Sequence, residues 1–328
     1  METVLRVADL RKLFPAKRSS LFKRKRQFIH AVDGVTFEVK KGETFGIVGE
    51  SGCGKTTLAR LILRLVEPTS GKIFFKDQDI TSLNRSEMKR LRRQMQMIFQ
   101  DPYSSLDPRK NILNIVAEPL RVHNIAKEGS IIKEKVREAL ELVDLPASES
   151  FLAKMPDEIS GGERQRAGVA RTLILGAEFI VADEPVSMLD ANVKAGVISL
   201  MMGLKQKIGL TYIFITHEIS LAYYICDRIA VMYLGKIVEL GNAVEIVNLP
   251  LHPYTRLLME AVPPLRPDDK WGATISERGE LPLFIEPPSG CRFHPRCSRA
   301  QDICKVEEPE LVEVRGGHYV ACHYKNSS

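Results

Sequence analysis

Four groups of residues have types and spacings that can do chemistry. The first is Gly49-Glu50-Ser51-Gly52-Cys53-Gly54-Lys55-Thr56, which fits G-x-x-x-x-G-K-[ST]. Its glycines let a backbone fold tightly enough for several N–H groups to face one anion. A helix starting there adds its partial positive charge. Lys55 can reach the β- and γ-phosphates of a nucleotide, and the Thr56 hydroxyl can ligate Mg²⁺, with Thr57 following on the same turn. The second group is Asp183-Glu184, closing the apolar run Phe179 to Ala182. A strand alternates its faces, so the two carboxylates serve different tasks. Asp183 can hold Mg²⁺ through its water shell, and Glu184 can orient and polarise an attacking water. The third is Ser160-Gly161-Gly162-Glu163, ahead of an apolar helical pattern from Ala167 to Leu175. N–H groups at that helix start, with the Ser160 hydroxyl, offer a second anion site. The fourth is Cys291, Cys297, Cys304 and Cys322, spaced C-x5-C-x6-C-x17-C. Three of them have an ordinary alternative: a glycine turn for the first, solvated acids at a strand end for the second, buried thiols for the fourth. Agreement among several parts is what favours a site.

These groups need a scaffold. Apolar, β-rich runs recur at Phe45 to Gly49, Ile73 to Phe75, Met95 to Phe99, Phe179 to Ala182, Tyr212 to Thr216 and Ile229 to Leu234. Helical patterns lie between several of them, including Thr57 to Val66 and Ile131 to Val143. This alternation predicts an α/β domain with a largely parallel sheet. A helix-rich stretch at about 102–165 reads as a helical insertion within it. After Leu240 prolines punctuate the chain and few periodic segments survive, which predicts a small loop-rich module. The expected division is 1–245 for the catalytic domain and 246–328 for the module.

The chain of 328 residues is 44% apolar and 27% charged, an ordinary globular balance with enough apolar sequence for a large core. No run approaches the roughly 18 apolar residues of a membrane span. Met1 to Leu10 carries acids and no apolar signal stretch, so the cytoplasm is the expected compartment. Much of the net charge of +6 comes from Lys17, Arg18, Lys23, Arg24, Lys25 and Arg26. These form either a solvated loop or a contact with anionic headgroups or an acidic partner. No aromatic interleaving or recognition motif supports nucleic acid.

The segment ISGGERQRAGVAR from Ile159 to Arg171 resembles the LSGGQ signature of ATP-binding cassette (ABC) proteins. The whole series is similar to that family's: the glycine loop, Gln100 after an apolar run, the signature, Ala182-Asp183-Glu184-Pro185, Ser187-Met188-Leu189-Asp190, and His217 after Tyr212 to Thr216. The resemblance implies a P-loop NTPase fold of the ABC type. It further implies a composite site in which ATP on one chain's loop is capped by another chain's Ser160, Gly161, Gly162 and Glu163, with Asp190 at the seam. Gln100 would touch Mg²⁺ and the attacking water, and His217 would contact the γ-phosphate and hold Glu184 in register. Phe14 is the candidate to stack on adenine, with Leu13 as its neighbouring alternative. Two departures are mild: Glu163 replaces the usual glutamine and would touch nothing catalytic, and Met188 stands where alanine is common.

Phe99 to Arg109, Met232-Tyr233-Leu234-Gly235 and Leu251-His252-Pro253-Tyr254-Thr255 are similar to the dipeptide/oligopeptide-importer branch. That implies import of peptides, with oligosaccharide or nickel as alternatives, and, less expected, a soluble ABC ATPase without a transporter. It also implies a heterodimer with a paralogous ATPase, docked on two permeases at the cytoplasmic face of the membrane and fed by an extracytoplasmic binding protein. The stretch Tyr103 to Asp107 would lie near the permease. Four thiolates suit Zn²⁺ or an iron–sulfur cluster, and the resemblance favours [4Fe–4S]. His294, His318 and His323 are alternative ligands.

Overall fold

The protein is described from a computed structural model, which covers residues 2–16, 27–101, 105–261 and 287–324. The basic cluster at 17–26 and the residues 102–104 lie outside it. The chain divides into two compact units. One holds Met1–Glu2, Lys40–Glu43 and Ser82–Ile215; the other holds Thr3–Val39, Thr44–Thr81 and Thr216–Ser328.

The second unit opens with strands β1 (Thr3–Pro15) and β2 (Phe28–Lys40), followed by β3 (Thr44–Val48), β4 (Ser70–Phe75) and β5 (Gln78–Asp79). β2, β1, β4 and β5 form one sheet in that order, with β1 antiparallel to β4 and β4 antiparallel to β5. This antiparallel sheet is absent from the sequence reading, which expected a largely parallel arrangement. In β1 the two-residue alternation is interrupted at Asp9, whose φ is 44°, and the register shifts between Ala8 and Arg11. A bulge of this kind hides a strand from a periodicity test. β3 is buried at all five positions and leads into the glycine loop. The helix that follows spans Lys55–Ile62, shorter at its end than the expected Val66. It stops because Arg64 turns into the left-handed region at φ 50° and its guanidinium caps the carbonyls of Ile80 and Thr81.

The first unit contains β6 (Met95–Ile98), β7 (Phe179–Asp183) and β8 (Thr211–Thr216), parallel neighbours in the order β8-β7-β6. Met95 pairs with Phe179, and Phe179 with Thr211. Both β7 and β8 are buried throughout, as expected of strands covered on two faces. Between β6 and β7 the described residues form helices Ile112–Val122, Gly129–Leu142, Glu149–Ala153 and Gly161–Leu173, and no strand. The expected helical insertion is therefore present. Ile115, Val116 and Leu120 on the first of these helices and Ile132, Val136 and Leu140 on the second are buried, the i, i+4 spacing of an amphipathic face.

Back in the second unit, β9 (Arg228–Tyr233) runs parallel to β3 with Val48 opposite Val231. It turns through Leu234 (φ 42°) and Gly235 (φ 81°) into antiparallel β10 (Lys236–Asn242). Two consecutive positive φ values suit the right-handed twist of a hairpin. The C-terminal stretch is more regular than its prolines suggested. β11 (Val312–Arg315) and β12 (His318–Val320) extend the sheet, β12 pairing with β10 through Glu239 opposite Val320.

The fully buried Glu239 gathers this region. Its carboxylate accepts the backbone N–H groups of Leu251 at 2.8 Å and His252 at 2.9 Å, and the His318 Nε2 at 2.7 Å. No periodicity test can see such a polar hub. His252 in turn caps the Pro253–Glu260 helix, its Nδ1 accepting the Tyr254 N–H at 3.0 Å.

Burial holds the His252 imidazole neutral, lowering its pKa from 6.5 to about 4 against the opposing pull of Glu239. As pH falls from 6.5 the unfolded chain takes up a proton that folded His252 refuses until about 4. Stability should therefore fall across that window by about 3 kcal/mol and level off below it. His252→Asn keeps a capping acceptor, and urea denaturation should show that pH slope flattened.

Candidate active site

The glycine loop follows β3 and ends where the Lys55–Ile62 helix begins. Two glycines are fixed by space. A Cβ on Gly49 would lie 2.2 Å from the Met232 carbonyl oxygen, and one on Gly54 would lie 2.1 Å from that of Ala31. Gly54 also has φ 107°, a conformation that a side chain resists. No side chain caps this helix. A helix start following a glycine loop is the arrangement that binds phosphate. The Lys55 ammonium donates to the carbonyls of Gly49 at 2.7 Å and Glu50 at 2.9 Å. Thr56 and Thr57 are half-buried on the first turn. The Cys53 side chain is fully buried, and burial raises its thiol pKa. Ser51 and Gly52 are exposed.

Glu50 is held at its backbone and its side chain. Its N–H donates to the Tyr254 hydroxyl at 2.9 Å, and its carboxylate takes both terminal nitrogens of Arg296 at 2.7 and 2.9 Å. Sequence reasoning missed both partners. Tyr254 stood in a noted run, Leu251 to Thr255, but nothing in the spacing announced Arg296.

Phe14 sits half-buried near the end of β1, with the Lys12 ammonium 5.0 Å from its ring centre. His217 follows β8 with its side chain 47% exposed and its Nε2 3.9 Å from Glu218. Both belong to the unit that carries the glycine loop.

The other unit brings Gln100 and the acid pair together. Asp183 is buried at the end of β7. Glu184, the next residue, has φ 47°. Its backbone is pinned by its own N–H donating to the Ile215 carbonyl and by its carbonyl accepting the Ser187 N–H at 3.2 Å and hydroxyl at 3.1 Å. A non-glycine residue in that region costs about 1–3 kcal/mol, and such strain collects at functional sites. The Gln100 Nε2 donates to the Glu184 Oε2 at 3.1 Å, which orients a carboxylate able to accept a proton from water.

Ser160 caps the Gly161–Leu173 helix. Its hydroxyl accepts the Glu163 N–H at 3.2 Å, while the Glu163 carboxylate accepts both the Ser160 N–H and its hydroxyl at 2.8 Å. This reciprocal pair is a capping box that fixes the helix start. The Ser160 hydrogen bonds hold the Glu163 carboxyl below its ordinary pKa. Asp190 caps the Ala191–Ile208 helix, accepting the Val193 N–H at 3.1 Å.

The four late cysteines are free thiols that line one small cavity with His294 and His323. Burial pushes the Cys291 thiol up to about 11, with the neighbouring Cys322, Cys304 and Cys297 adding to it. Among the described residues no group of three or more His, Cys, Asp or Glu side chains stands in metal-holding geometry. The three histidines are otherwise engaged. His294 and His323 bond the carbonyls of Cys291 and Glu307, and His318 bonds Glu239.

The ABC transporter family model matches residues 32–187, and the model for the C-terminal region of oligopeptide/dipeptide transporters matches residues 238–304. The oligopeptide transport ATP-binding protein AppF of Bacillus subtilis is 49% identical over 98% of this chain and 97% of its own length. This chain belongs to the oligopeptide/dipeptide family of ABC transporter ATP-binding subunits. A Brucella ovis protein provisionally named a peptide import ATP-binding protein is 47% identical over 89% of this chain and 90% of its own. Among solved structures, a dimeric post-hydrolysis state of the cassette MJ0796 bound to ADP and Pi matches with TM-score 0.63 at 26% identity, covering 73% of this chain and 98% of that one. The chain is thus an ATP-hydrolysing transporter subunit that uses ATP with Mg²⁺ and works with membrane permeases. Among the described residues no helix is long and apolar enough to cross a membrane.

Gly54→Ala should cost on the order of 3 kcal/mol of stability through overpacking and strain. It should also weaken ATP binding by more than about tenfold, since the loop's N–H groups lose their direction. Denaturant titration and calorimetry of ATP binding check the two parts.

Proposed function

We propose that this subunit drives import of di- and oligopeptides, hydrolysing ATP at sites shared between two cassettes. The observation that carries the reading is that one chain holds two glycine-bearing helix starts, one at Gly54–Lys55 without a side-chain cap and one at Ser160–Gly161. ATP held by one chain's loop at Gly49 to Thr57 would be capped by Ser160, Gly161, Gly162 and Glu163 of the second cassette, with Asp190 at the seam. The dimer reported for MJ0796 supports that arrangement. Thr56, Asp183 and Gln100 would surround Mg²⁺. Glu184, aimed by its strained backbone and by Gln100, would polarise the attacking water, and His217 would contact the γ-phosphate. Phe14 would stack on adenine.

The peptide cargo is supported by the names of the AppF and Brucella relatives. The second cassette would be a paralogous ATPase, and both would dock on two permeases at the cytoplasmic face, supplied by an extracytoplasmic binding protein. The division at 1–245 and 246–328 belongs to the same reading.

The late cysteines would hold an iron–sulfur cluster. Four sulfur donors line one cavity, and cysteine sulfurs are the ligands such a cluster takes. Cys291, Cys297, Cys304 and Cys322 would be its ligands, and its contribution would be structural, stapling a segment with little core of its own.

Glu184→Gln should keep ATP binding, lower turnover by ~10²–10⁴-fold, and accumulate a dimer in ATP by light scattering. Near-normal hydrolysis would end Glu184's assignment as base. Anaerobically purified protein should contain iron and acid-labile sulfide; stoichiometric zinc in colourless protein would replace the cluster with a zinc site.

A further inference from the structure

Glu50 occupies a variable position of the phosphate loop, yet it is tied more firmly than its neighbours. Its carbonyl accepts the Lys55 ammonium at 2.9 Å, its N–H donates to Tyr254 at 2.9 Å, and Arg296 grips its carboxylate at both oxygens. The pair is largely shielded, with 16% of the Arg296 side chain and 26% of the Glu50 side chain exposed. Arg296 also rests on aromatic rings, its guanidinium carbon 5.8 Å from the Tyr233 ring centre and 5.9 Å from that of Phe293. Tyr233, Tyr254 and Phe293 pack on one another with centroids 4.6 to 5.4 Å apart. The clamp is therefore a fork-shaped ion pair on a rigid platform, the geometry that sets arginine apart from lysine.

Electrostatics gives the clamp a purpose. A carboxylate in a loop that cradles a polyanion repels its ligand unless a cation offsets it. Arg296 supplies that cation and at the same time fixes the loop's shape. It comes from the turn just before Cys297, where the Arg296 N–H donates to the Phe293 carbonyl at 3.0 Å and the Cys297 N–H donates to the His294 carbonyl at 3.3 Å. We propose that Arg296 and Tyr254 are positioning residues for nucleotide binding, which neutralise and orient Glu50 so that the loop accepts the phosphates of ATP. The C-terminal cysteine segment thereby acts on the nucleotide site from outside it. This inference rests on the ATP site described above.

The test measures the dissociation constant of MgATP and the KM for hydrolysis on the full chain. Arg296→Ala should raise both by about tenfold, more than it lowers kcat. Adding Glu50→Gln to that variant should recover most of the loss, because it removes the uncompensated charge; a merely structural arginine would not be rescued in this way. Arg296→Lys, which keeps the charge and loses the fork, should fall between wild type and Arg296→Ala and guards against a misfolded alanine variant. Tyr254→Phe should weaken binding by about threefold through loss of one hydrogen bond. Unchanged affinity in both arginine variants, or a double variant no better than Arg296→Ala alone, overturns the proposal. Wild-type chain that fails to bind ATP would instead overturn the cassette reading itself.

Discussion

A backbone loop can face several N–H groups toward one anion only if its shape is held against the side chains and carbonyls around it. That constraint governs the glycine loop. Gly49 lies where the Met232 carbonyl leaves no room for a Cβ, and Gly54 is crowded in the same way by the Ala31 carbonyl. The neighbouring backbone is itself fixed by pairing, since β3 and β9 are in register through Val48 and Val231. The tight hairpin at Leu234 and Gly235 then returns the chain close to the backbone at His30 and Ala31. The cradle's shape is thus imposed by strands far away in sequence. The helix at Lys55 starts without a side-chain cap, whereas Asn111 and Ser148 cap theirs. A start without a cap loses some local stability.

Buried charge is the second organising feature of the same unit. Glu239 joins β10, β12 and the chain entering the Pro253–Glu260 helix. Arg292 bonds the Asp33 carboxylate and the Leu234 carbonyl, tying the C-terminal segment to β2 and to the hairpin. Burial alone would raise the Asp33 carboxyl, but Arg292, His30 and Lys236 outweigh it and hold it at about 2. Arg296 and Glu50 make the third tie. Removing one partner from such a buried pair leaves the other without compensation, which costs far more than the intact pair contributes. These ties therefore select one placement of a segment whose apolar content is too low to select it alone.

In the other unit the decisive feature is strain. Glu184 adopts a backbone angle that few non-glycine residues tolerate, and three hydrogen bonds at its own N–H and carbonyl keep it there. The step from extended Asp183 to left-handed Glu184 separates two adjacent carboxylates more sharply than strand alternation does. One stays buried at the strand end, and the other meets Gln100.

Much of this was legible in the sequence. The glycine loop, the acid pair and the Ser160 helix start declare themselves because each is a local device whose residue types and spacing are the chemistry. The parallel strands β6, β7 and β8 and the helical insertion were readable for the same reason, since their hydrophobic periods are local. The strand β1 was not, because the bulge at Asp9 breaks its alternation. Nor were the antiparallel returns near the C-terminus, where prolines and short elements mask the pattern. The role of Glu163 in holding Ser160 follows standard capping chemistry, yet it stayed hidden behind the expectation of a glutamine. What only the tertiary structure decided is which polar side chains meet. Asp33 with Arg292, Glu239 with His318 and Glu50 with Arg296 are separated by 259, 79 and 246 residues. A long-range polar contact has no period, so its partners are named by the fold that brings them together and not by the order of the chain.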